Sequence, residues 1–223
     1  MITSAEVRAA ARIAGAGAPG GGLGHDPPDQ TRLCQLAEEQ AALRRVAALV
    51  ARGTAPEQVF AAVIEEVGRL LPVAVVSMSR YQNEGVLTFV ARCGKLADRL
   101  ALVNQRPPGG RNVGTLVFET GRPAWVDGYA GSSSGPIGAA SREAGLQSSV
   151  GSPIIVDGRL WGVIAVGSTL APLPSDTEAR LASFTELVAT AIANAESRAV
   201  LARLPRVDKR PARVIAMARS CRS

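Results

Sequence analysis

The residue types that most often carry out chemistry in proteins are scarce in this sequence. It contains three cysteines, Cys34, Cys93 and Cys221, and a single histidine, His25. The cysteines are far apart, and His25 lies in a segment rich in glycine and proline. Zinc sites and disulfide frameworks need closely spaced or paired ligands, so the sequence predicts neither. With one histidine, most schemes of general acid and base catalysis are also excluded.

Cys93 is the cysteine best placed for thiol chemistry, because it ends an apolar run that has the character of a strand. An isolated cysteine in such a run is more typical of a small buried apolar residue than of a nucleophile. A redox activity through Cys93 therefore stays a secondary hypothesis. We expect the protein not to be an enzyme.

Four side chains are candidates for binding a small molecule: Arg92, Trp125, Asp127 and Trp161. A cationic group, an anionic group and two aromatic rings are the contacts that a binding pocket uses for orientation and packing. Each also has a simpler interpretation, in which the tryptophans belong to the core and the charged side chains are solvated. The segment 132–135, Ser-Ser-Ser-Gly, matches no nucleotide-binding fingerprint and favours a loop over a phosphate cradle.

The element that must position these residues is a β-hairpin from Gln147 to Ser168. Two apolar, β-branched runs flank Asp157-Gly158, and Asp-Gly is a strong signal for a two-residue type I′ turn. Because both faces of the two runs are apolar, we expect the hairpin to be covered on both sides.

A two-residue loop fixes the register of a hairpin. It predicts Val156 opposite Arg159 and Ile154 opposite Trp161. Pro153 has no N–H to offer to a further neighbouring strand, so we expect a bulge or a gap in pairing there.

Long amphipathic helices are predicted at both ends of the ordered region. The first runs from about Gln30 to Arg52, and the last follows Ser175-Asp-Thr-Glu178. A further helix follows Thr54-Ala-Pro-Glu57. The spacing of a hydroxyl residue and a glutamate in both tetrapeptides predicts a capping box, in which each side chain bonds a backbone N–H of the first turn.

The remaining segments alternate between strand, helix and loop signals. We predict a hairpin of 73–81 and 86–93, a helix of 112–119 capped by Asn112 and ending at Gly121, a strand at 123–126, a flexible loop at 127–136 and a short helix at 137–144. Hairpins flanked by helices are typical of an antiparallel sheet with helices packed on it. The predicted fold class is α+β.

Composition divides the chain into three parts. Residues 1–29 are rich in glycine, alanine and proline and are predicted to be disordered, residues 30–202 form one domain, and residues 203–223 form a basic, disordered tail. The tail holds seven of the 25 basic residues and one of the 19 acidic ones, which leaves 18 of each elsewhere. The formal charge of +6 therefore does not indicate a specific nucleic-acid partner. No apolar run is long enough for a bilayer span, and we expect a cytoplasmic location.

The order of elements, with Gly-Arg-Pro at 121–123 and Val-Asp-Gly-Arg-Leu-Trp-Gly at 156–162, resembles the GAF domain. Residues 176–201 resemble more narrowly the GAF region that precedes the kinase core of bacterial sensor histidine kinases. The resemblance covers about residues 30–202. It implies a six-stranded antiparallel sheet flanked by helices, a small-molecule pocket on one face, and long N- and C-terminal helices that pair two subunits.

Several functions known in that family find no support in these residues. The sequence after Ala202 contains no phosphoacceptor histidine and no nucleotide-binding domain, so we expect no kinase activity. Haem binding would use a pocket histidine, and His25 is the one candidate, so no cofactor is predicted. Reduction of methionine sulfoxide would need several pocket cysteines, and no signature for cyclic nucleotides is present.

The sequence thus predicts a sensory, signal-transducing GAF protein that binds a small-molecule effector, like the sensor part of a two-component kinase without the kinase core. One alternative is a ligand-free dimerisation module, and another is a truncated, non-functional fragment of a sensor. A homodimer would bury apolar residues of the terminal helices, namely Leu36, Leu43, Val46, Phe184, Leu187 and Ala191.

Overall fold

The computed structural model describes residues 27–100, 105, 107–170 and 172–203. The chain divides into two units, residues 1–38 and 39–223. In the first unit the described part is the beginning of helix α1 (Pro27–Ala51), on which Leu33, Cys34 and Leu36 are exposed. The other elements belong to the second unit. Most of the predicted disordered leader and basic tail lies outside the described residues, although α1 begins at Pro27, inside the predicted leader.

The sheet of the second unit has five described strands, all antiparallel, in the order β2-β1-β5-β4-β3. The α+β fold class is thereby confirmed, with five strands in the described ranges instead of the six expected. The strands are β1 (Val75–Tyr81), β2 (Leu87–Cys93), β3 (Ala124–Asp127), β4 (Ser148–Val156) and β5 (Arg159–Ser168).

The helices of the second unit cover both faces of this sheet. After α1 they are α2 (Pro56–Leu70), α3 (Ala97–Leu100), α4 (Val113–Thr120), α5 (Tyr129–Ser132), α6 (Gly135–Glu143) and α7 (Thr177–Arg203). The prediction of a flexible loop at 127–136 was wrong where α5 forms. The Ser132 hydroxyl donates to the backbone oxygens of Asp127 and Gly128, and this bonding closes the helical turn. Within the described ranges, no helix combines the length and apolar character that a membrane span requires.

The central hairpin forms as predicted, with both turn residues at positive φ, 48° for Asp157 and 75° for Gly158. The register is right only next to the turn, where Val156 pairs with Arg159. A bulge between Ile154 and Ile155 then shifts it by one residue, so that Ile154 lies opposite Gly162. Because strand side chains alternate between faces, this shift exchanges the predicted faces of the rest of β5.

The shift follows from an extra residue in β5. Leu160 pairs with Ile155 and Gly162 with Ile154, which leaves Trp161 unopposed. A Cβ at Gly162 would lie 2.3 Å from the backbone oxygen of Ser79 on the neighbouring strand, so the absence of a side chain permits this approach. The predicted gap beside Pro153 is present, because the pairing of β3 with β4 ends at Gly151.

The two predicted capping boxes do not form. The N-cap of α2 is Ala55, and no side chain caps it, although Pro56 occupies the first turn as expected. Helix α7 begins at Thr177, and the Glu178 carboxylate accepts a hydrogen bond from the Trp125 indole, at 3.0 Å, instead of one from its own backbone. The cap of α4 is confirmed.

One face of the sheet packs against α2, α7 and the second half of α1. Val46, Phe184 and Ala191, which we expected in a dimer interface, are almost fully buried in this core. They stabilise the protomer itself, so they are not available to a second subunit. Leu43 and Leu187 are partly buried against the same core.

Candidate functional site

A cavity of about 70 Å³ lies on the other face of the sheet. Its floor is formed by β1, β4 and β5, where Val75, Val163 and Ala165 present their side chains. Its cover is formed by α4, α5 and α6, which contribute Val113, Tyr129 and further residues. The resemblance implied a small-molecule pocket on one face of the sheet, and the structure has a cavity on one face. That it binds a ligand stays a prediction.

The polar groups of the cavity lining are hydroxyls. The described lining contains Ser77, Ser79, Ser141, Ser149 and Tyr129, and no side chain with a formal charge. The other lining residues are glycines and apolar residues. Such a lining offers weak, neutral hydrogen bonds in apolar surroundings, which suits orientation of a small molecule better than acid or base chemistry.

Tyr129 links the cover of the cavity to its floor. Only 1% of this residue is exposed, and its hydroxyl lies 2.6 Å from the Ser149 hydroxyl on β4. Burial raises the pKa of the Tyr129 phenol, while hydrogen bonds to Ser149, Ser141 and the backbone of Val113 oppose part of that rise. The phenol therefore stays neutral at physiological pH and acts as a hydrogen-bonding group.

The segment before α4 and the start of α6 are held together by hydrogen bonds and by a close approach of their backbones. The Arg111 N–H donates to the Ser134 hydroxyl at 2.7 Å, and the Ser134 N–H donates to the Arg111 oxygen at 3.1 Å. A Cβ at Gly135 would lie 2.1 Å from the Gly109 oxygen. Only glycine permits that approach, at a φ of 77°.

The start of α4 is fixed by two buried polar side chains. The side-chain amide oxygen of Asn112, Oδ1, accepts a hydrogen bond from the Thr115 N–H at 2.9 Å, which makes Asn112 the N-cap. The Asn112 amide donates to the Gly109 oxygen at 3.0 Å, and the Gly109 N–H donates to the Thr115 hydroxyl at 2.9 Å. These bonds place Val113 and Gly114 against the cavity.

The two predicted tryptophans lie on the face of the sheet opposite the cavity. Trp161 packs 5.6 Å from the ring of Phe60 on α2, and the Arg80 guanidinium lies over it at 5.5 Å. Trp125 donates to Glu178 at the start of α7. The bulge in β5 explains the position of Trp161, because the extra residue is turned toward the helices.

The two predicted charged residues are exposed, and the structure does not bring them together with the tryptophans. Arg92 lies on the edge strand β2, with its guanidinium 5.7 Å from the centre of the Phe89 ring, which lines the cavity. Asp127 ends β3, and its backbone oxygen accepts from Ser132. None of the four predicted residues is part of the cavity lining.

Cys93 is also remote from the cavity, because it pairs with Val76 on the face that packs against the helices. Its thiol lies 3.1 Å from the backbone oxygen of Ile64 on α2. Burial, with the negative charge of Glu65, raises the pKa of this thiol, which lowers its nucleophilicity at neutral pH. Among the described residues no group of three or more His, Cys, Asp or Glu is arranged to hold a metal ion.

The hydroxyl residues were missed at the sequence level, although one signal was present. Ser77 and Ser79 are two residues apart in the apolar run Val-Val-Ser-Met-Ser, so the strand period of two places them on one face. Ser149 and Tyr129 gave no such signal, because their proximity depends on the pairing of β3 with β4 and on the formation of α5.

The model of the family described as the GAF domain matches residues 55–194, which is more than half of the chain. The chain belongs to the GAF family. No protein of curated function matches it in sequence. Solved structures share the GAF fold at low identity: the phycoerythrobilin-bound GAF domain of a cyanobacterial phytochrome has 19% identity, covers 72% of this chain and 96% of that chain, and gives a TM-score of 0.59.

Two further GAF-like structures have other contexts. The free methionine-R-sulfoxide reductase of Neisseria meningitidis, solved with its substrate, has 17% identity, 72% and 91% coverage of this and that chain, and a TM-score of 0.60. A domain from a protein described as a two-component sensor histidine kinase of Sinorhizobium meliloti has 19% identity, 66% and 96% coverage, and a TM-score of 0.51. At these identities the likeness concerns the fold.

Proposed function

We propose that this GAF protein is a non-enzymatic sensory module that binds a small-molecule effector in the cavity beneath α4, α5 and α6 and passes the change to its terminal helices. The observation that carries the proposal is the cavity itself, which lies between the sheet and its cover and has hydroxyl groups in its lining. An apolar cavity with a few convergent polar groups is the usual form of a small-molecule site.

The connections around β3 support a route for the signal. Val126 on β3 packs in the same apolar cluster as Tyr129 and Val113, which line the cavity. On the opposite face of this strand, Trp125 bonds to Glu178 in the first turn of α7. A displacement of the cavity cover would thus reach the long C-terminal helix through one four-residue strand.

The lining supports a binding role over a catalytic one. A serine hydroxyl acts as a nucleophile when a neighbouring base such as an imidazole or a carboxylate activates it, and the described lining contains no such base and no thiol. We likewise propose that no haem or other cofactor is required, since the described cavity lining contains no histidine or cysteine to ligate one.

The similarity to a domain of a sensor histidine kinase supports a role in signal transduction of the two-component type. We propose that the protein acts there as a homodimer, with α1 and α7 at the contact. Exposed apolar side chains on α7 support this part of the proposal, because Val200 and Leu201 are 60% and 66% exposed.

Native mass spectrometry of the full chain, after incubation with a bacterial small-molecule extract and removal of unbound material, tests the effector site. We expect a reproducible non-covalent mass increment. Ala165→Leu should abolish it, because the added side chain extends from the cavity floor into the available space. Ala165→Val adds less volume, so it replaces Ala165→Leu in this test if the larger change impairs folding.

Ala61→Leu is the matched control, because it makes the same substitution at an exposed position on α2. This variant should keep the increment. If the wild-type chain acquires no increment, tight binding of an effector in the cavity is excluded, and if the increment persists in Ala165→Leu, the molecule binds elsewhere.

A further inference from the structure

Two hydroxyls in the cavity have no hydrogen-bond partner in the part of the chain that the structure describes. They belong to Ser77 and Ser79, which project from β1 toward the cavity. The other lining hydroxyls are occupied: Ser149 bonds Tyr129, and Ser141 donates to the Ile137 oxygen at 2.9 Å. Only 5% of Ser79 is exposed. Thr88, Ser148 and Thr177 hold the fully buried unpaired hydroxyls of the described chain, whereas the Ser79 hydroxyl faces the accessible space of the cavity, where a ligand or water can bond it.

The size of the cavity limits what that partner can be. An engineered protein cavity of about 150 Å³ accommodates benzene, which has six non-hydrogen atoms. The cavity described above has about half that volume. Its enclosed part suits a group of roughly three to five non-hydrogen atoms, and because the cavity is open to solvent on one side, the rest of a larger molecule would extend out of it.

The charge of the partner is limited by the lining. A carboxylate, phosphate or ammonium group placed there would lose its hydration and meet no formally charged side chain among the described lining residues. On the cavity side of β2 the cation is Arg92, and its guanidinium lies over the Phe89 ring and is exposed to solvent. A neutral molecule incurs no such cost.

We infer that the cavity binds a small uncharged molecule with an apolar body and one hydrogen-bonding end, of the class of short alcohols, ketones and amides, and that Ser79 is the residue that anchors this end. Val163 and Ala165 contact the apolar body. Ser77, two residues earlier on the same face of β1, provides a second donor or acceptor. This inference rests on the proposed effector site and specifies its ligand class.

Three probes of nearly equal size separate the effect of charge from that of shape: propan-1-ol, propionate and propylammonium. Each is titrated into the full chain while the methyl resonances of Val163 and Ala165 are followed by NMR. Propan-1-ol should shift these resonances in a saturable manner at millimolar concentrations, and the two ions should not. Saturable binding of either ion with equal or greater affinity would overturn the inference, and so would the absence of any response to propan-1-ol.

Ser79→Ala tests the anchoring residue and should weaken the binding of propan-1-ol about tenfold, which is the typical effect of losing one neutral hydrogen bond. Ser152→Ala is the control, because Ser152 is equally buried but faces the helices on the opposite side of the sheet. Equal affinities of the two variants would exclude Ser79 as the anchor.

The outcomes also separate this inference from the proposed function. If the small-molecule extract yields an increment that Ala165→Leu abolishes, while propan-1-ol fails or an ion binds, the effector site stands and the ligand class is wrong. If the extract yields no such increment and propan-1-ol causes no saturable shift, the effector site itself is excluded.

Discussion

Glu66 is the most strongly paired carboxylate among the described residues. It accepts hydrogen bonds from Arg45 on α1, at 2.6 and 2.9 Å, and also contacts Arg69 one turn later on α2. These partners lower the pKa of Glu66, mainly through the hydrogen bond to Arg45. A carboxylate whose pKa is lower in the folded state stabilises the protein above its unfolded pKa of about 4.3, and this contribution disappears as the pH falls through the folded value.

We therefore expect Glu66→Gln to lower the urea midpoint of unfolding at pH 7 and to have little effect below pH 3. Urea unfolding at several pH values measures the difference. Glu65→Gln is the control, because Glu65 is exposed on the same helix and forms no ion pair within the described ranges. A deficit of Glu66→Gln that is independent of pH would contradict the ionic origin of the effect.

The two tyrosines of the chain, Tyr81 and Tyr129, are both shielded from solvent. Burial raises the pKa of each phenol, and the Tyr81 hydroxyl also donates to the Gly114 oxygen at 2.6 Å. Their contribution to stability is therefore present below the unfolded pKa of about 10 and is lost as the pH rises toward the folded values.

A spectrophotometric titration tests this directly, since no other tyrosine contributes to the signal. We expect little phenolate absorbance at pH 10 in the folded protein, and its appearance together with the loss of circular dichroism at higher pH. A phenolate transition centred near pH 10 with unchanged dichroism would show that the tyrosines are accessible.

At the level of the elements, the turn of the central hairpin gives the sharpest test. Gly158 adopts a φ of 75°, which disfavours a residue with a Cβ by about 1–2 kcal/mol. Gly158→Ala should therefore destabilise the protein by roughly 1 kcal/mol in chemical unfolding. Gly131→Ala is the control, because Gly131 lies in α5 at an ordinary φ with no atom near the added Cβ. Equal effects of both changes would mean that the turn conformation is not limiting.

The elements also show which parts of the fold a single sequence can predict. The hairpin turn, the N-cap Asn112 and the left-handed Gly121 depend on local chemistry, and the structure contains all three. The register beyond Ile154 depends on an extra residue in β5, for which the turn carries no information. The Glu178 carboxylate was predicted to accept from a backbone N–H of its own helix. It accepts instead from the indole of Trp125, which is distant in sequence.

The candidate site was harder to predict than the fold for the same reason. The residues predicted for the site were large or charged, but the position of Trp161 is explained by its packing against Phe60 and Arg80. The cavity is defined by small residues that leave space, such as Ala165 and Gly167, and by serines. Small side chains mark a cavity only when the elements that surround it are known.

At the level of the whole molecule, the proposed homodimer can be tested at an exposed apolar position of α7. Leu201 is 66% exposed on α7, whereas Phe184 and Ala191 on the same helix are buried in the protomer. Burial of exposed apolar side chains between helices is the usual source of stability in such pairs. We therefore expect Leu201→Glu to convert a dimer to a protomer without loss of helical content.

Sedimentation equilibrium of the full chain provides the measurement. Ala199→Glu introduces the same charge two residues earlier, about 160° away around the helix, and should keep the dimer. A wild-type chain that sediments as a protomer, or a Leu201→Glu variant that sediments as a dimer, would exclude this contact.

The cavity of about 70 Å³ also makes the molecule sensitive to hydrostatic pressure. Because the cavity is open to solvent on one side, it contributes to the volume change of unfolding only to the extent that it stays free of water, at most roughly −40 mL/mol. A bound molecule fills the void and removes that contribution. The slope of unfolding free energy against pressure therefore reports the occupancy of the cavity, without a label and without knowledge of the occupant.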